Sequence, residues 1–207
     1  MPAYDPRTAL IVVDVQNDFA DPTGSLAVRG GVRVAERCSV EATDALLAGA
    51  FVVYTQDWHP ASTPHFAKDG GIWPVHCVAG SWGAEFHPAL QVLGPTVRKG
   101  THGEDGYSGF TTRDPVSGET IPTGLEALLR ERGIERVVIA GLATDYCVNA
   151  TALDARRLGF ATLVLQDAVA AVDLQPGDGA AAMARMAAAG CTVALTGTRP
   201  LRSGTTG

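Results

Sequence analysis

The sequence predicts an α/β fold: a three-layer, doubly wound, mainly parallel six-stranded sheet with helices on both faces. Short apolar runs, typical of strands buried on both faces, alternate along the chain with segments whose apolar residues recur at helical spacing. Such an alternation produces a parallel sheet that helices cover on both sides. The 207 residues, 46% of them hydrophobic, suit one domain, which we expect to span 1–207.

The first half of the chain contains three predicted strands and one predicted helix. The strands are Thr8 to Val13 (TALIVV), Phe51 to Gln56 and a short run at Thr96 to Arg98. Apolar residues at helical spacing predict a helix over Val34 to Leu47. The stretch from about 57 to 95 shows no period and holds many Pro, Gly, His and Trp residues. Long irregular stretches are often functional, so we expect a metal-binding loop region there.

The second half continues the alternation after Thr111 to Pro122, which is predicted to be a hairpin or a turn-rich excursion. Thr123 and Glu126 form a capping-box pattern that predicts the start of a helix, and Gly133 is suited to end it. The tail from Ser203 is expected to fray. The remaining predicted elements are a strand at Arg136 to Gly141, a helix from near Cys147 to Leu158, a strand at Ala161 to Gln166, a helix at Gly179 to Ala189 and a strand at Thr192 to Leu195.

Reactive side chains follow four of the predicted strands. If the strands take the common doubly wound order 3-2-1-4-5-6, the first and fourth meet at the switch point, where ligands bind beyond the carboxyl ends. Asp14 follows the first strand, Asp57 the second and Lys99 the third. Cys147 follows the fourth strand by one short loop. We therefore expect these four side chains to converge at one edge of the sheet.

Cys147 is the candidate nucleophile, since the segment before it, GLATDY, is a predicted strand-to-helix turn. A helix N-terminus favours an anion, and its free N–H groups suit the oxyanion of a tetrahedral intermediate. Asp14 is suited to take the thiol proton, and Lys99 to stabilise the negative charge nearby. The alternatives are a buried structural cysteine and an ion pair that serves only the strand ends.

Asp57, His59, His65 and His76 have the pattern of a metal site in the loop region. A carboxylate with imidazoles suits zinc, iron or manganese and leaves coordination positions open. Loop histidines bonded only to nearby backbone are the alternative, which weighs most for His65. Aromatic residues gather in the same loops, where they would form a flat slot for a planar heteroaromatic ring, unless they only pack in the core. These residues are Phe19, Trp73, Tyr107 and Tyr146.

The net charge limits the partners that we expect, and the cysteines indicate the cellular compartment. The net charge of −6 and the pI of about 5.3 argue against nucleic acid and against an anionic membrane as partners. The first residues show no signal-peptide pattern, and the four cysteines are dispersed, so we expect a cytoplasmic protein with reduced thiols. Cys38 and Cys191 are interpreted as small core hydrophobes. Self-association into a homo-oligomer is left open.

Six segments spread over most of the chain form a specific set. They are IVVDVQNDF at Ile11 to Phe19, TQDWHP at Thr55 to Pro60, WPVHCVAGSWGAEFHP at Trp73 to Pro88, RKG at Arg98 to Gly100, YSGF at Tyr107 to Phe110 and AGLATDYCV at Ala140 to Val148. In this order the set resembles the nicotinamidases (pyrazinamidases) of the isochorismatase-like hydrolase family.

The resemblance implies that Asp14, Lys99 and Cys147 are catalytic and hydrolyse nicotinamide, and also pyrazinamide, through a thioester in NAD salvage. It implies a cis bond between Leu142 and Ala143, with the N–H groups of Ala143 and Cys147 binding the oxyanion. It also implies one divalent metal ion, Zn²⁺ before Fe²⁺ or Mn²⁺. The implied metal ligands are Asp57, His59 and His76, with His65 as the fourth in the variant that has it, and the implied ring-binding residues are Phe19, Trp73 and Tyr107.

Two alternatives stay open at this point. One is another hydrolase on the same scaffold, acting on a carbamoyl or ureido amide or on isochorismate; the Asp/His cluster argues against the metal-free relatives. The other is a catalytically idle scaffold that binds a partner protein. The intact set of Asp14, Lys99 and Cys147 argues against that second alternative.

Overall fold

The structure is a computed structural model that describes residues 4–197, so the predicted fraying from Ser203 lies outside the described residues. In chain order the strands are β1 (Thr8–Val13), β2 (Phe51–Asp57), β3 (Thr96–Lys99), β4 (Thr111–Arg113), β5 (Thr120–Pro122), β6 (Arg136–Leu142), β7 (Ala161–Ala170) and β8 (Thr192–Ala194). The helices are α1 (Asn17–Ala20), α2 (Gly31–Leu47), α3 (Leu125–Arg130), α4 (Asn149–Arg157) and α5 (Asp178–Ala188).

Six of the strands form one sheet in the order β3-β2-β1-β6-β7-β8, and every neighbouring pair is parallel. This doubly wound order confirms the prediction, and β4 and β5 form a separate antiparallel pair, as expected for the hairpin. The central strand β1 is buried at every residue, and its Val12 aligns with Tyr54 of β2 and Ala140 of β6. A continuous apolar run suits such a strand because both of its faces are covered.

Helices cover both faces of the sheet, as predicted. Successive residues of a strand point to opposite faces, so β1 contributes to two cores. Leu10 shares one core with Cys38 of α2. Ile11 shares the other with side chains of α3, α4 and α5, among them Leu129 and Met186. The two cores enclose β1 and so determine where its carboxyl end lies.

The start of α3 differs from the prediction. The residue before the helix is Gly124, in the left-handed conformation with φ 92°, which has no side chain to cap the helix. The hydroxyl of Thr123 donates to the carbonyl oxygen of Gly109 at 2.6 Å and accepts from the N–H of Leu125 at 3.3 Å. The predicted capping box of Thr123 and Glu126 is wrong, because the hydroxyl accepts from Leu125 rather than from Glu126, and the N–H of Thr123 donates to the carbonyl oxygen of Phe110 at 3.0 Å rather than to Glu126.

The connection from β6 to α4 is a π-helical turn, Thr144–Val148, which places Cys147 in the first helical turn after the strand. The stretch between β2 and β3 contains two short 3₁₀ turns, Ala67–Asp69 and Trp82–Ala84, and is otherwise irregular, as predicted. Several of its polar side chains are buried, so the stretch packs onto the body of the protein. Within residues 4–197, no helix combines the length and apolar character needed to cross a membrane.

Candidate active site and metal centre

Asp14, Lys99 and Cys147 meet at the carboxyl ends of the central strands. Lys99 Nζ lies 3.0 Å from Asp14 Oδ2 and 3.7 Å from Cys147 Sγ. All three residues are buried, with Cys147 7% exposed. Asp57, which ends β2, forms an ion pair with the same ammonium. The structure thus brings together the four side chains for which the strand order predicted one shared edge.

Backbone conformation allows the close approach of β1 and β6 at this edge. Asp14 lies in the left-handed region with φ 48°, and Thr55 Oγ1 donates to its Oδ1 at 2.7 Å. Gly141 has φ 118°, and a Cβ there would lie 2.1 Å from the carbonyl oxygen of Val13. Only glycine therefore fits at this close approach of β1 and β6. The Leu142–Ala143 bond is cis, as the resemblance implied.

Burial and neighbouring charges shift the pKa values of Asp14, Lys99 and Cys147. Burial alone would lower the pKa of Lys99, but Asp14 and Asp57 outweigh it and raise that pKa well above its usual value. Burial raises the pKa of Asp14, against the opposing effect of Lys99. Burial also raises the pKa of the Cys147 thiol well above its usual value, again opposed by Lys99. Cys147 therefore rests as a thiol, and its activation requires a base rather than a helix N-terminus alone.

His59, His65 and His76 form a buried cluster in which the candidate ligand atoms lie within 4.8 Å of one another. His65 Nδ1 bonds to Asp105 Oδ1, and His76 Nδ1 to the carbonyl oxygen of Pro74, both at 2.8 Å. Because a carboxylate and a carbonyl only accept, each Nδ1 carries the proton and each Nε2 of a neutral ring keeps a free lone pair. Burial lowers the pKa of His76 to about 4, which favours the neutral ring that a metal ligand requires.

The cluster fits a divalent metal ion. Neither ring nitrogen of the buried His59 has a hydrogen-bond partner within the described part of the chain. Asp57 lies between the two groups, with Oδ1 on Lys99 and Oδ2 3.8 Å from His59 Nε2. Burial would raise the pKa of Asp57, but Lys99 and His59 outweigh it and hold that pKa below its usual range. Imidazoles with one carboxylate are a donor set that divalent metals bind in proteins.

A cavity with an aromatic wall connects the thiol to the histidine cluster. Its lining includes Ala143 and Cys147. It also includes the four aromatic residues predicted to form the slot, Phe19, Trp73, Tyr107 and Tyr146. The rings of Trp73 and Tyr146 are nearly perpendicular, with centroids 4.9 Å apart. Trp73 Nε1 donates to the hydroxyl of Tyr107 at 3.0 Å, which fixes the orientation of both rings. Phe19 packs against the ring of His76 on the metal side, with centroids 5.5 Å apart.

Several supporting residues escaped the sequence-based reasoning. Gln16 accepts from the backbone N–H of Asp57 at 2.8 Å and donates to its carbonyl oxygen at 2.7 Å. Asp18 Oδ2 accepts from the N–H of Cys77 at 2.7 Å and so holds a left-handed turn with φ 45°. Both polar residues lie inside the IVVDVQNDF segment, which offered a signal. Asp105 lies in a Gly-rich acidic stretch, where the local pattern offered none.

The fold and the arrangement of the site are typical of α/β enzymes, whose ligands bind at the switch point of a parallel sheet. The switch point lies between β1 and β6, where Asp14 and Cys147 face each other. Residues 8–198 match the model of the isochorismatase domain, and the chain belongs to the isochorismatase family.

Similar proteins match nearly the whole chain. The Escherichia coli nicotinamidase is 36% identical over an alignment of 212 positions, which covers 91% of this chain and 94% of that protein. The pyrazinamidase of Pyrococcus horikoshii, solved in complex with zinc, has a TM-score of 0.81 at 39% identity and covers 92% of this chain and 99% of its own. PnC1 from L. infantum, solved in complex with nicotinate, has a TM-score of 0.80 at 37% identity. The match covers 93% of this chain and 94% of that protein.

Proposed function

We propose that this chain hydrolyses nicotinamide to nicotinate and ammonia through a thioester on Cys147, and pyrazinamide likewise, as a step of NAD salvage in the cytoplasm. The observation that carries the proposal is that Cys147 and the histidine cluster face one aromatic-walled cavity. The similarity to a nicotinamidase and to a protein solved with nicotinate supports this substrate. Four free, buried cysteines support the reducing setting.

A planar pyridine carboxamide suits the shape and chemistry of this cavity. Trp73, Tyr107 and Tyr146 offer ring faces and edges for a flat apolar body. The carboxamide carbon would lie at Cys147 and the ring nitrogen towards the histidine cluster. The cavity therefore selects for a ring with a polar atom at each end, rather than for a flexible aliphatic amide.

Acylation begins with proton transfer from Cys147 Sγ to the carboxylate of Asp14, while Lys99 stabilises the resulting charge. The sulfur then forms a bond to the amide carbon, and the carbonyl oxygen becomes an oxyanion. The N–H groups of Ala143 and Cys147, at the start of the helical turn, donate to it, each worth about 2.7–4 kcal/mol of barrier. The carbon–nitrogen bond breaks as the amine takes the proton from Asp14, and ammonia leaves.

Deacylation returns the chain to its starting state. Water attacks the thioester carbon while Asp14 takes one of its protons. The carbon–sulfur bond breaks, and Cys147 regains a proton from Asp14 as nicotinate leaves. One water is consumed, and one acid and one ammonia are released. The same carboxylate thus serves both half-reactions, which its place beside the sulfur allows.

We propose Zn²⁺ as the divalent metal, held by Asp57, His59, His65 and His76. When bound, it supplies a Lewis acid that polarises a ring nitrogen or a water at this end of the cavity. The chain orients the donors itself, since hydrogen bonds at Nδ1 direct the rings of His65 and His76. Asp57 also pairs with Lys99, so the metal side and the thiol side share one carboxylate.

The decisive experiment is ammonia release from nicotinamide, pyrazinamide, benzamide and a ureido acid, before and after chelation. We expect nicotinamide and pyrazinamide to react far faster than benzamide, which lacks the ring nitrogen. Chelation should stop the reaction, and Zn²⁺ should restore it. Preference for the ureido acid would replace the proposed substrate, and no ammonia from any amide would overturn the proposed reaction.

Two histidine variants control the chelation experiment. His59→Ala removes a buried ring from the cluster, so neither activity nor its dependence on Zn²⁺ should survive. His102→Ala changes an exposed histidine whose partners are Thr101 and Glu104, and it should behave as the native chain does. Equal behaviour of the two variants would contradict the proposed metal centre.

A further inference from the structure

His65 differs from the other two histidines of the cluster in what holds it. Its Nδ1 lies 2.8 Å from the carboxylate of Asp105, which is 40 residues further along the chain. His76 Nδ1 bonds to the backbone carbonyl oxygen of Pro74, and neither ring nitrogen of His59 has a hydrogen-bond partner within residues 4–197. A hydrogen bond to an ionised acceptor is roughly twice as strong as one between neutral groups. His65 is therefore the most firmly directed donor of the three.

We propose that Asp105 is a positioning residue for the metal centre, which holds His65 Nδ1–H and so directs Nε2 at the ion as the fourth ligand. This inference rests on the proposed function, which places a divalent metal at the cluster, and deepens it. It assigns a role to a carboxylate that is neither one of the proposed metal ligands nor part of the group around Cys147. The bond to Asp105 also argues against the interpretation of His65 as a loop histidine bonded only to nearby backbone.

The physical reason is control of tautomer and ring orientation. A carboxylate can only accept, so the proton stays on Nδ1 and the lone pair of Nε2 is free for the metal. The ring of His65 is stacked on His59, with centroids 4.9 Å apart and planes 22° apart, which limits its tilt. Asp105 limits the remaining rotation in the ring plane. Partners of this kind typically change metal affinity about 10- to 100-fold.

Asp105 is itself held by its surroundings. Its backbone N–H donates to the carbonyl oxygen of Arg113 in β4 at 2.8 Å, and its Oδ2 lies 3.3 Å from Arg113 Nη2. Its Oδ1 also accepts from the N–H of Gly106 at 2.8 Å. The carboxylate therefore has one orientation before a metal binds, and little side-chain freedom is lost on binding. The hairpin thereby contributes to a metal centre that it does not contact.

The test is the affinity of the full chain for Zn²⁺, measured by competition with a chromophoric chelator. Asp105→Ala should raise the dissociation constant about 10- to 100-fold. Asp105→Asn keeps an oxygen that can accept from Nδ1 and should raise it less, by about threefold or more. Glu104→Ala is the matched control, since this neighbouring carboxylate binds His102 instead, and it should leave the affinity unchanged.

Repeating the Asp105→Ala change in a chain that already carries His65→Ala shows whether Asp105 acts through His65 or through a general change in the loop. In His65→Ala, the further change Asp105→Ala should alter Zn²⁺ affinity about twofold or less, because the residue through which Asp105 acts is gone. An equal loss in both backgrounds would overturn the proposal. Native affinity in both Asp105→Ala and Asp105→Asn would do so as well, and the asparagine variant suffices if the alanine variant fails to fold. The measurement of Zn²⁺ affinity needs no turnover. If the variants show the expected affinities but the chain releases no ammonia, only the proposed reaction is overturned.

Discussion

The ammonium of Lys99 lies 3.0 Å from Asp14 Oδ2, and both side chains are buried. The same ammonium contacts Asp57 on one side and the sulfur of Cys147 on the other. One cation thus balances two carboxylates and faces the thiol. The carboxylate of Asp14 lies within 4.8 Å of the sulfur of Cys147 and is the acceptor that we propose for the thiol proton, and this relationship leads to the first three predictions.

The nucleophile can be tested against a second buried thiol. Cys147→Ala should lower ammonia release from nicotinamide by at least about 10³-fold, since removal of a nucleophile ends covalent catalysis. Cys191 is also buried, but it lies in the core beside α4 and α5, where its Sγ contacts the carbonyl oxygen of Ala152. Cys191→Ala should keep kcat near the native value. Retained activity in Cys147→Ala would remove the thioester from the mechanism.

The ion pair predicts an unequal effect of its two partners on stability. Lys99→Met leaves Asp14 and Asp57 buried without a cation and should lower the free energy of unfolding by about 3–5 kcal/mol. Asp14→Asn should cost less, because Lys99 keeps Asp57 as a partner and an amide oxygen can still accept from Thr55. Urea unfolding of both variants measures the difference. Equal stability of the two would contradict this distribution of charge, and Asp14→Asn should fold yet release no ammonia.

The pH dependence follows from the raised pKa of Asp14. Its carboxylate must be ionised to accept the thiol proton, so activity is lost as the pH falls through this pKa. Burial raises the pKa above the ordinary value of 3.8. The acid limb of kcat/KM for nicotinamide should therefore lie at a higher pH than that of an ordinary carboxyl group. A profile that stays flat down to 3.8 in a chain that remains folded would exclude Asp14 as the base.

The close approach of β1 and β6 predicts that a side chain at Gly141 destabilises the fold by a steric clash, and Gly133 provides a control. Gly141→Ala places a methyl group 2.1 Å from the carbonyl oxygen of Val13, whereas Gly133→Ala meets nothing within 4 Å. Both glycines have positive φ, so both changes carry backbone strain of about 1–2 kcal/mol. Gly141→Ala should cost about 1–3 kcal/mol more, because the strands must separate. Thermal or urea unfolding compares the two, and equal losses would show that the approach tolerates a side chain.

Much of the fold could be predicted because its signals are local or topological. The run TALIVV identifies a strand buried on both faces, and all six of its residues are buried. The predicted capping box at Thr123 shows the limit of local patterns. The N–H of Thr123, which the box would pair with Glu126, donates to the carbonyl oxygen of Phe110, a contact that depends on where a preceding loop packs.

By itself, the sequence determined the alternation of strands and helices and the side chains that follow the strands, Asp14, Asp57, Lys99 and Cys147. Their place at one edge of the sheet followed only from assuming the common doubly wound strand order, which the structure confirms. Only the tertiary structure decided that Asp105 holds His65 and that Cys147 rests as a thiol. Both depend on distances between side chains far apart in the chain and on their burial, which no pattern along the sequence encodes.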